Sequence, residues 1–297
     1  MKGKISLDKY EKFYKANYKK FLVFPIVLLL LSFVFIFIAT QEDGTPIYRD
    51  ISLKGGLSAI ITIDTEITSQ DYLDYLNSEY PSNSFKVSEL FQEGERSGFI
   101  VDTDLDEEIF KQSSEEFLGS SLELGNNYVS NFISPTLSNS FFQQAIIILV
   151  ISLLFMSAVI FIYFKEFIPS LAVVLSAVFD LIVTIGVLNL LKFEISVAGI
   201  GALLMIIGYS IDTDVLLTNR LIKERGDNYF EKAFDAFKTG SLMTVTTLSA
   251  GIVAMILTNS AVIFEIALIL VIGLIVDYIS TWVQNSSIIL WWLNSKK

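Results

Sequence analysis

Apolar residues are spread along this chain in two ways. Six long runs, near residues 21–40, 145–164, 169–191, 195–218, 241–257 and 266–291, are almost unbroken by charge. About 20 consecutive apolar residues match the hydrocarbon thickness of a bilayer, so each run predicts a membrane-spanning helix. Between the first and second runs the pattern changes to short alternating segments. Leu57–Asp64, Phe85–Phe91, Gly98–Thr103 and Tyr128–Ser134 predict strands, and Ser69–Tyr80 and Asp106–Leu118 predict helices. The order β-α-β-β-α-β is the ferredoxin-like split βαβ pattern. The predicted fold class is therefore membrane α-helical, with six transmembrane helices and a small α+β ferredoxin-like external domain between helices 1 and 2.

Composition supports this division. Apolar residues make up 53% of the chain and the mean hydropathy is +0.58, too high for an ordinary soluble domain. The net charge of -11 is concentrated in residues 41–142, which hold 19 acidic against 5 basic residues. That stretch is a separate unit whose acids, Asp106, Glu107 and Glu108 among them, read as solubilising or helix-dipole groups. Seven lysines in residues 1–20 lead into the first apolar run. This run is longer than the core of a cleaved signal and shows no clear small-residue cleavage site, so it reads as a retained span. Lys165, the stretch 220–238 and Lys296–Lys297 fall on the same side as the N-terminal lysines, which puts both termini in the cytosol. The domain layout that follows is a basic cytosolic N-terminus at 1–20, helix 1 at 21–40, the external domain at 41–142, and helices 2–6 within 143–294. The segment near 226–240 has Tyr229, Phe230, Ala233, Phe234 and Phe237 at helical spacing and reads as an amphipathic cytosolic helix at the interface.

Histidine and cysteine are absent, which removes thiol chemistry, most zinc sites and the usual proton carrier near neutral pH. No cofactor, no metal and no nucleic-acid partner is expected. Without His, Cys, a phosphate-cradling Gly loop or paired external carboxylates, the chain does not read as an enzyme. The chemistry that remains is in the membrane. Asp180, Asp212, Asp214 and Asp277 fall inside predicted spans with no Lys or Arg beside them, and a carboxylate there costs ~2.5 to 3.5 kcal/mol on insertion scales. They are the proton-coupling candidates. Asp212 and Asp214 point about 200° apart on a helix, so only one faces a given partner; Asp212 is taken as the deeper, with Asp214 near the interface in reach of water or Lys238. The alternative is structural: hydrogen bonds from Ser176, Ser210, Thr244, Thr246, Thr247 or Ser280 would satisfy these acids without titration.

Several motifs carry a family likeness. Asp50-Ile-Ser-Leu-Lys54-Gly55-Gly56, Ile133-Ser134-Pro135, Phe179-Asp180-Leu181, Gly208-Tyr209-Ser210-Ile-Asp212 and Met243-Thr-Val-Thr-Thr-Leu248 resemble, in order along the chain, the signatures of the SecF subunits of the SecD/SecF export complex, in the archaeal form, within the resistance-nodulation-division superfamily. The bacterial pattern has its fourth-span acid at the position of Thr213 and an Arg at the start of the fifth span; here Asp212 takes the place of the sister subunit's acid, and Thr239 follows Lys238. The resemblance implies a six-span half that pairs with a SecD-like subunit beside the Sec translocation channel. Together they would act on unfolded preproteins within the membrane lipids, through the proton-motive force. Two other readings stand beside it: an RND-type small-molecule or lipid transporter half, which the small external domain disfavours, and a structural assembly factor of the channel with no ion coupling.

Overall fold

The computed structural model describes residues 20–92, 95–223 and 228–295. The N-terminal lysines up to Lys19 and the terminal Lys296–Lys297, on which the orientation of the ends was argued, lie outside the described residues. The chain divides into two compact units. One comprises Arg49–Ile146 with Ile195–Val197, and the remaining described residues form the other.

The first unit holds a four-stranded antiparallel sheet in the order β2-β3-β1-β4, made of β1 (Gly56–Thr62), β2 (Phe85–Gln92), β3 (Glu95–Thr103) and β4 (Tyr128–Ile133). This is the ferredoxin-like arrangement that the element order predicted. The helices preceding it in the text are numbered along the whole chain: α1 (Val23–Asp43) and α2 (Ile51–Lys54) come before β1, and α3 (Ser69–Glu79) and α4 (Glu107–Leu118) are the two crossover helices. Their starts are set by side chains. Thr68 and Asp71 form a reciprocal capping box on α3, and Asp106 caps α4 by accepting from the Glu108 N–H. Because strand side chains alternate, Leu57, Ala59 and Ile61 of β1 share a face with Phe99 and Val101 of β3. That face is closed by Tyr72 and Leu76 of α3 and Phe110 of α4, all fully buried.

The paired glycines of the Leu-Lys-Gly-Gly stretch have a steric explanation. Gly55 and Gly56 have φ of +90° and +141°, and a Cβ at Gly55 would lie 2.6 Å from the Pro135 Cα. Asp50, at the head of the motif, caps α2 through the Ser52 N–H and accepts from Lys86 Nζ at 3.1 Å. Lys54 donates to Ser84 Oγ at 3.2 Å. On the opposite face of the sheet from the core, Ser58 Oγ donates to Asp102 Oδ1 at 2.6 Å. Burial raises the Asp102 carboxyl above its ordinary 3.8, with the nearby Asp50 charge adding to the rise and the Ser58 bond and Lys86 opposing it.

The second unit is helical. Six helices of the described chain are long and apolar enough to cross a membrane: α1, α5 (Pro135–Phe164), α6 (Phe167–Leu190), α7 (Val197–Ile222), α8 (Tyr229–Leu257) and a compound sixth over Ala261–Ser295. The sixth consists of α9 (Ala261–Ile279), a π-helical turn (Ser280–Asn285) and α10 (Ser286–Ser295). Two boundaries differ from the sequence pattern. α5 begins at Pro135, inside the stretch assigned to the external domain, because proline fits the first helical turn, where its missing N–H is not needed. The amphipathic segment near 226–240 is not a separate surface helix over its described part. From Tyr229 it is continuous with the fifth span, and Phe237 packs edge-on against Trp282 with ring centroids 5.2 Å apart. Its apolar face is taken up by the bundle: Tyr229, Phe230, Ala233 and Phe237 border the cluster around Leu221, Trp282 and Leu293. Residues 226–227 lie outside the described residues.

Helix packing uses small residues where backbones meet. A Cβ at Gly186 of α6 would fall 2.4 Å from the Ser32 Cβ of α1, so the two helices touch at that pair.

Gly55→Ala is expected to destabilise the folded chain by about 2 kcal/mol, since it combines left-handed backbone strain with a clash at Pro135. A thermal unfolding midpoint unchanged from wild type would contradict this. Asp102 gives a pH test. Its folded pKa is raised, so the native state holds the proton more tightly than the unfolded chain, and stability falls as pH rises from the ordinary carboxyl range through the raised value. Asp102→Asn should flatten that slope in unfolding midpoints recorded against pH.

Candidate functional site

Three spans contribute polar residues to a single buried patch. On α6, Ser176, Asp180 and Thr184 recur every fourth residue, so they line one face, and all are fully buried. On α7, Ser210, Thr213, Asp214 and Thr218 follow the same helical spacing and are equally enclosed. The sixth span supplies Asp277 from the end of α9, and Ser280, Thr281 and Asn285 from the π turn.

The hydrogen bonds join these residues into one network. Ser210 Oγ donates to Asp180 Oδ2 at 2.5 Å. Thr213 Oγ1 lies 3.2 Å from both oxygens of Asp277, and Thr281 Oγ1 donates to Asp277 Oδ1 at 3.2 Å. Asn285 Nδ2 donates to Asp214 Oδ1 at 2.7 Å, and Ser176 Oγ donates to Ser280 Oγ at 3.1 Å. Asp180 Oδ1, Asp214 Oδ2 and Asn285 Oδ1 are left with no hydrogen-bond partner, as are the Thr184 and Thr218 hydroxyls and Trp282 Nε1. Ser176 and Thr281 lie beside Asp214 and Ser280 lies beside Asp180, but none of them closes a bond to those free oxygens. The three carboxyls are within electrostatic reach of one another. No Lys or Arg occurs in α6, α9, the π turn or α10, and the only one on α7 is Arg220 in its last turn. The carboxyl oxygens left open here are positions that a proton can occupy. Among the described residues no three of His, Cys, Asp and Glu converge on a metal-binding geometry.

The four candidate acids separate. Asp180, Asp214 and Asp277 come together; Asp212 does not. Depth along the span does not separate Asp212 from Asp214; the flank of the helix does. It lies on the exposed flank of α7, while Asp214 points inward with Ser210 and Thr213. Nor does Asp214 depend on Lys238, which pairs instead with Asp235 at 3.5 Å. The exposed flank is itself one helix face: Val197, Gly201, Met205, Gly208 and Asp212, spaced three and four apart. Tyr209 turns toward α8, where its hydroxyl meets Thr247 Oγ1 at 2.8 Å. Of the hydroxyls named as structural partners, Ser176, Ser210 and Ser280 are in the network. Thr246 and Thr247 hydrogen-bond to the Met243 carbonyl and Thr244 to the Gly240 carbonyl. The residues that the sequence pattern did not single out are Asn285, Thr281 and Thr213 as a ligand of Asp277. The polar run of Ser280, Thr281, Gln284, Asn285, Ser286 and Ser287 within the sixth apolar run is the signal that would have marked the first.

A six-span bundle holding a buried carboxyl cluster, with a ferredoxin-like domain inserted after the first span, defines a polytopic membrane protein of the export and transport type. Comparison with known proteins narrows the class. The family model "Protein export membrane protein SecD/SecF, C-terminal" matches residues 117–295. "Protein-export membrane protein SecF" of Methanolacinia petrolearia is 34% identical over 278 residues, covering 93% of this chain and 94% of the relative. The protein of the same name from Methanocaldococcus jannaschii is 32% identical over 287 residues, covering 93% of this chain and 96% of the relative. Among solved structures, the SecDF crystal structure from Thermus thermophilus, described as a translocon-associated membrane protein, superposes with a TM-score of 0.72 at 18% identity. That match covers 95% of this chain but only 38% of the SecDF chain. The chain belongs to the SecD/SecF family of protein-export membrane proteins.

Ser210→Ala would leave Asp180 Oδ2 without its donor and is expected to destabilise the chain by about 1–3 kcal/mol. Asp212→Ala, on the exposed flank, should stay within about 0.5 kcal/mol of wild type in the same chain without its partner. Thermal unfolding in detergent checks both, and equal shifts for the two variants would contradict the assignment of inner and outer acids.

Proposed function

We propose that this chain is the SecF-type auxiliary subunit of a Sec preprotein translocase. It pairs with a SecD-like subunit and assists the late export of unfolded preproteins and the insertion of membrane proteins beside the channel. The observation that carries this reading is that α7 bears acids on two opposite faces. Asp214 closes an internal network with Asn285, while Asp212 stands outward on a stripe with Gly201 and Gly208 that allows a second helix to approach. A half designed to work alone would leave Asp212 facing lipid, at the cost such a charge carries. A SecD-like half seated on this stripe would enclose it. The span of the chain, 38% of the SecDF chain, fits a half of a larger assembly.

In this reading the chain runs with both termini in the cytosol and its ferredoxin-like domain outside, where that domain contacts the emerging preprotein, and the spans are bathed in membrane lipid. The proton-motive force acts through Asp180, Asp214 and Asp277 inside the half and Asp212 at its boundary. Taking up or losing a proton changes which hydrogen bonds these carboxyls can make, and so biases two packings of the helices. The chain acts by conformational work and not as an enzyme.

The test is preprotein transport into vesicles holding this chain and its SecD-like partner, with and without an imposed proton gradient. The double variant Asp212→Asn, Asp214→Asn should remove most of the stimulation by the gradient while the complex still assembles. Stimulation retained at the wild-type level would replace coupling with a structural assembly role.

A further inference from the structure

The sixth span contains a feature that the coupling reading does not use. Between α9 and α10 the helix widens into a π turn over Ser280–Asn285, closed by a bond from the Ser286 N–H to the Thr281 carbonyl, five residues back. Single π turns inside α-helices occur often at functional sites and need a local reason. The residues they place supply one. In an α-helix four residues advance about 400°, so two such steps would carry Asn285 about 80° around the helix from Asp277. The wider turn rotates less per residue and keeps Asp277, Thr281 and Asn285 on one side. That side faces α7, where Thr281 Oγ1 lies 3.4 Å from Thr213 Oγ1 and Asn285 Nδ2 reaches Asp214 Oδ1 at 2.7 Å.

The π turn is also anchored on its other flanks. Ser280 Oγ donates to the Asp277 carbonyl and accepts from Ser176 on α6. Trp282 lies against α8 where only glycine fits, since a Cβ at Gly240 would fall 2.4 Å from its Cζ2. Asn285 is fully buried, and its amide donates to Asp214 at 2.7 Å, with the Ser176 and Thr281 hydroxyls beside the same carboxyl. The bond engages one carboxyl oxygen and leaves Oδ2 open. The charged groups facing Asp214 are Asp277 on the sixth span and Asp180 on α6; α1, α5 and the membrane part of α8 past Lys238 contain none within their apolar runs.

We propose that Asn285 is a positioning residue for Asp214: the π turn brings its amide onto Oδ1, and this holds Oδ2 as the one oxygen of that carboxyl that binds and releases a proton. The inference rests on the coupling reading above and adds a residue and a backbone device to it. Asn285 touches no transported species. It acts through Asp214, so its removal should change how that acid titrates and not only how much of the protein is folded.

The experiment uses the complex of this chain with its SecD-like partner in liposomes, with a trapped pH indicator and an imposed proton gradient, over a range of pH. Asn285→Leu, which keeps the bulk and removes the donor, is expected to lower proton flux about tenfold, the scale of one lost hydrogen bond to a charged group, and to move the pH profile. In an Asp214→Asn background the same change should reduce flux no further, whereas in an Asp212→Asn background it should reduce flux again. Asn285→Gln, which keeps the amide, should recover part of the wild-type profile. Asn285→Asp, equal in size with an acceptor in place of the donor, should move the profile at least as far as Asn285→Leu. Co-elution with the partner reports assembly, and if the Leu variant fails to assemble, the Gln and Asp variants decide the matter by the same shift. An unmoved pH profile in these variants, or losses from Asn285→Leu and Asp214→Asn that multiply as independent ones, overturns the role of Asn285 and leaves coupling standing. A wild-type complex that passes no protons under the gradient overturns the coupling reading, and this inference with it.

Discussion

The constraint on which the rest of this molecule depends is that a bilayer offers no water to a buried polar group. Every donor and acceptor inside the bundle must be answered by another part of the chain or by a mobile ion. In the α6–α7–α9 patch the chain answers mostly with hydroxyls. Ser210 serves Asp180, Thr213 and Thr281 serve Asp277, and a single amide serves Asp214. Each of these side chains is short, so the helices that carry them must approach closely, and contacts such as Gly273 against Ile206 allow it. The packing of α7 against α9 is thus bound to the state of the acids between them. Two free carboxyl oxygens remain in a site from which they cannot reach solvent, so the network is not closed.

The same constraint decides what was legible in the sequence. Spans are legible because length and apolarity alone define them, and all six runs correspond to helices. The ferredoxin-like domain is legible because alternation and helical spacing follow each other in a rare order, and the strands pair in the matching topology. Local capping gave the helix starts, as at Thr68 and Asp106. What the pattern did not resolve was which flank of a helix is inward. Depth was estimated for Asp212 and Asp214 by counting from the span ends, and depth is not orientation. The information was nevertheless present, since Ser210, Thr213 and Asp214 share a face that Asp212 does not. The π turn is a different case. It depends on tertiary partners, Gly240 opposite Trp282 and Asp214 opposite Asn285, and residues so far apart in sequence leave no periodic trace.

The motif at the head of the domain illustrates how family signatures become physical statements. Gly55 is required by a backbone turn that places Pro135 where a side chain would stand, and Asp50 closes the first turn of α2 while taking the Lys86 charge. Neither residue has a chemical task in this structure. Gly208-Tyr209-Ser210 divides differently: one residue clears the outer face, one joins α8, and one holds Asp180. A conserved-looking string is thus three separate functions on three faces of a single helix turn.

That division has a consequence for how the two acid sites relate. Asp212 and Asp214 are two residues apart on one helix, so their separation across α7 is fixed by the backbone, about 200° around the axis and about 3 Å along it. No movement of α7 as a rigid body can alter one environment without altering the other. In the proposed assembly, a partner half seated on the Gly201–Asp212 stripe would press on the inner network through the helix itself, and a change in the donors around Asp214 would be felt at the outer face in the same way. Coupling between the halves needs no chain of side chains crossing the bundle. It needs only that α7 has two packed positions, and its inner contacts, made through short hydroxyls and one amide, are of the kind that can be exchanged without opening the core.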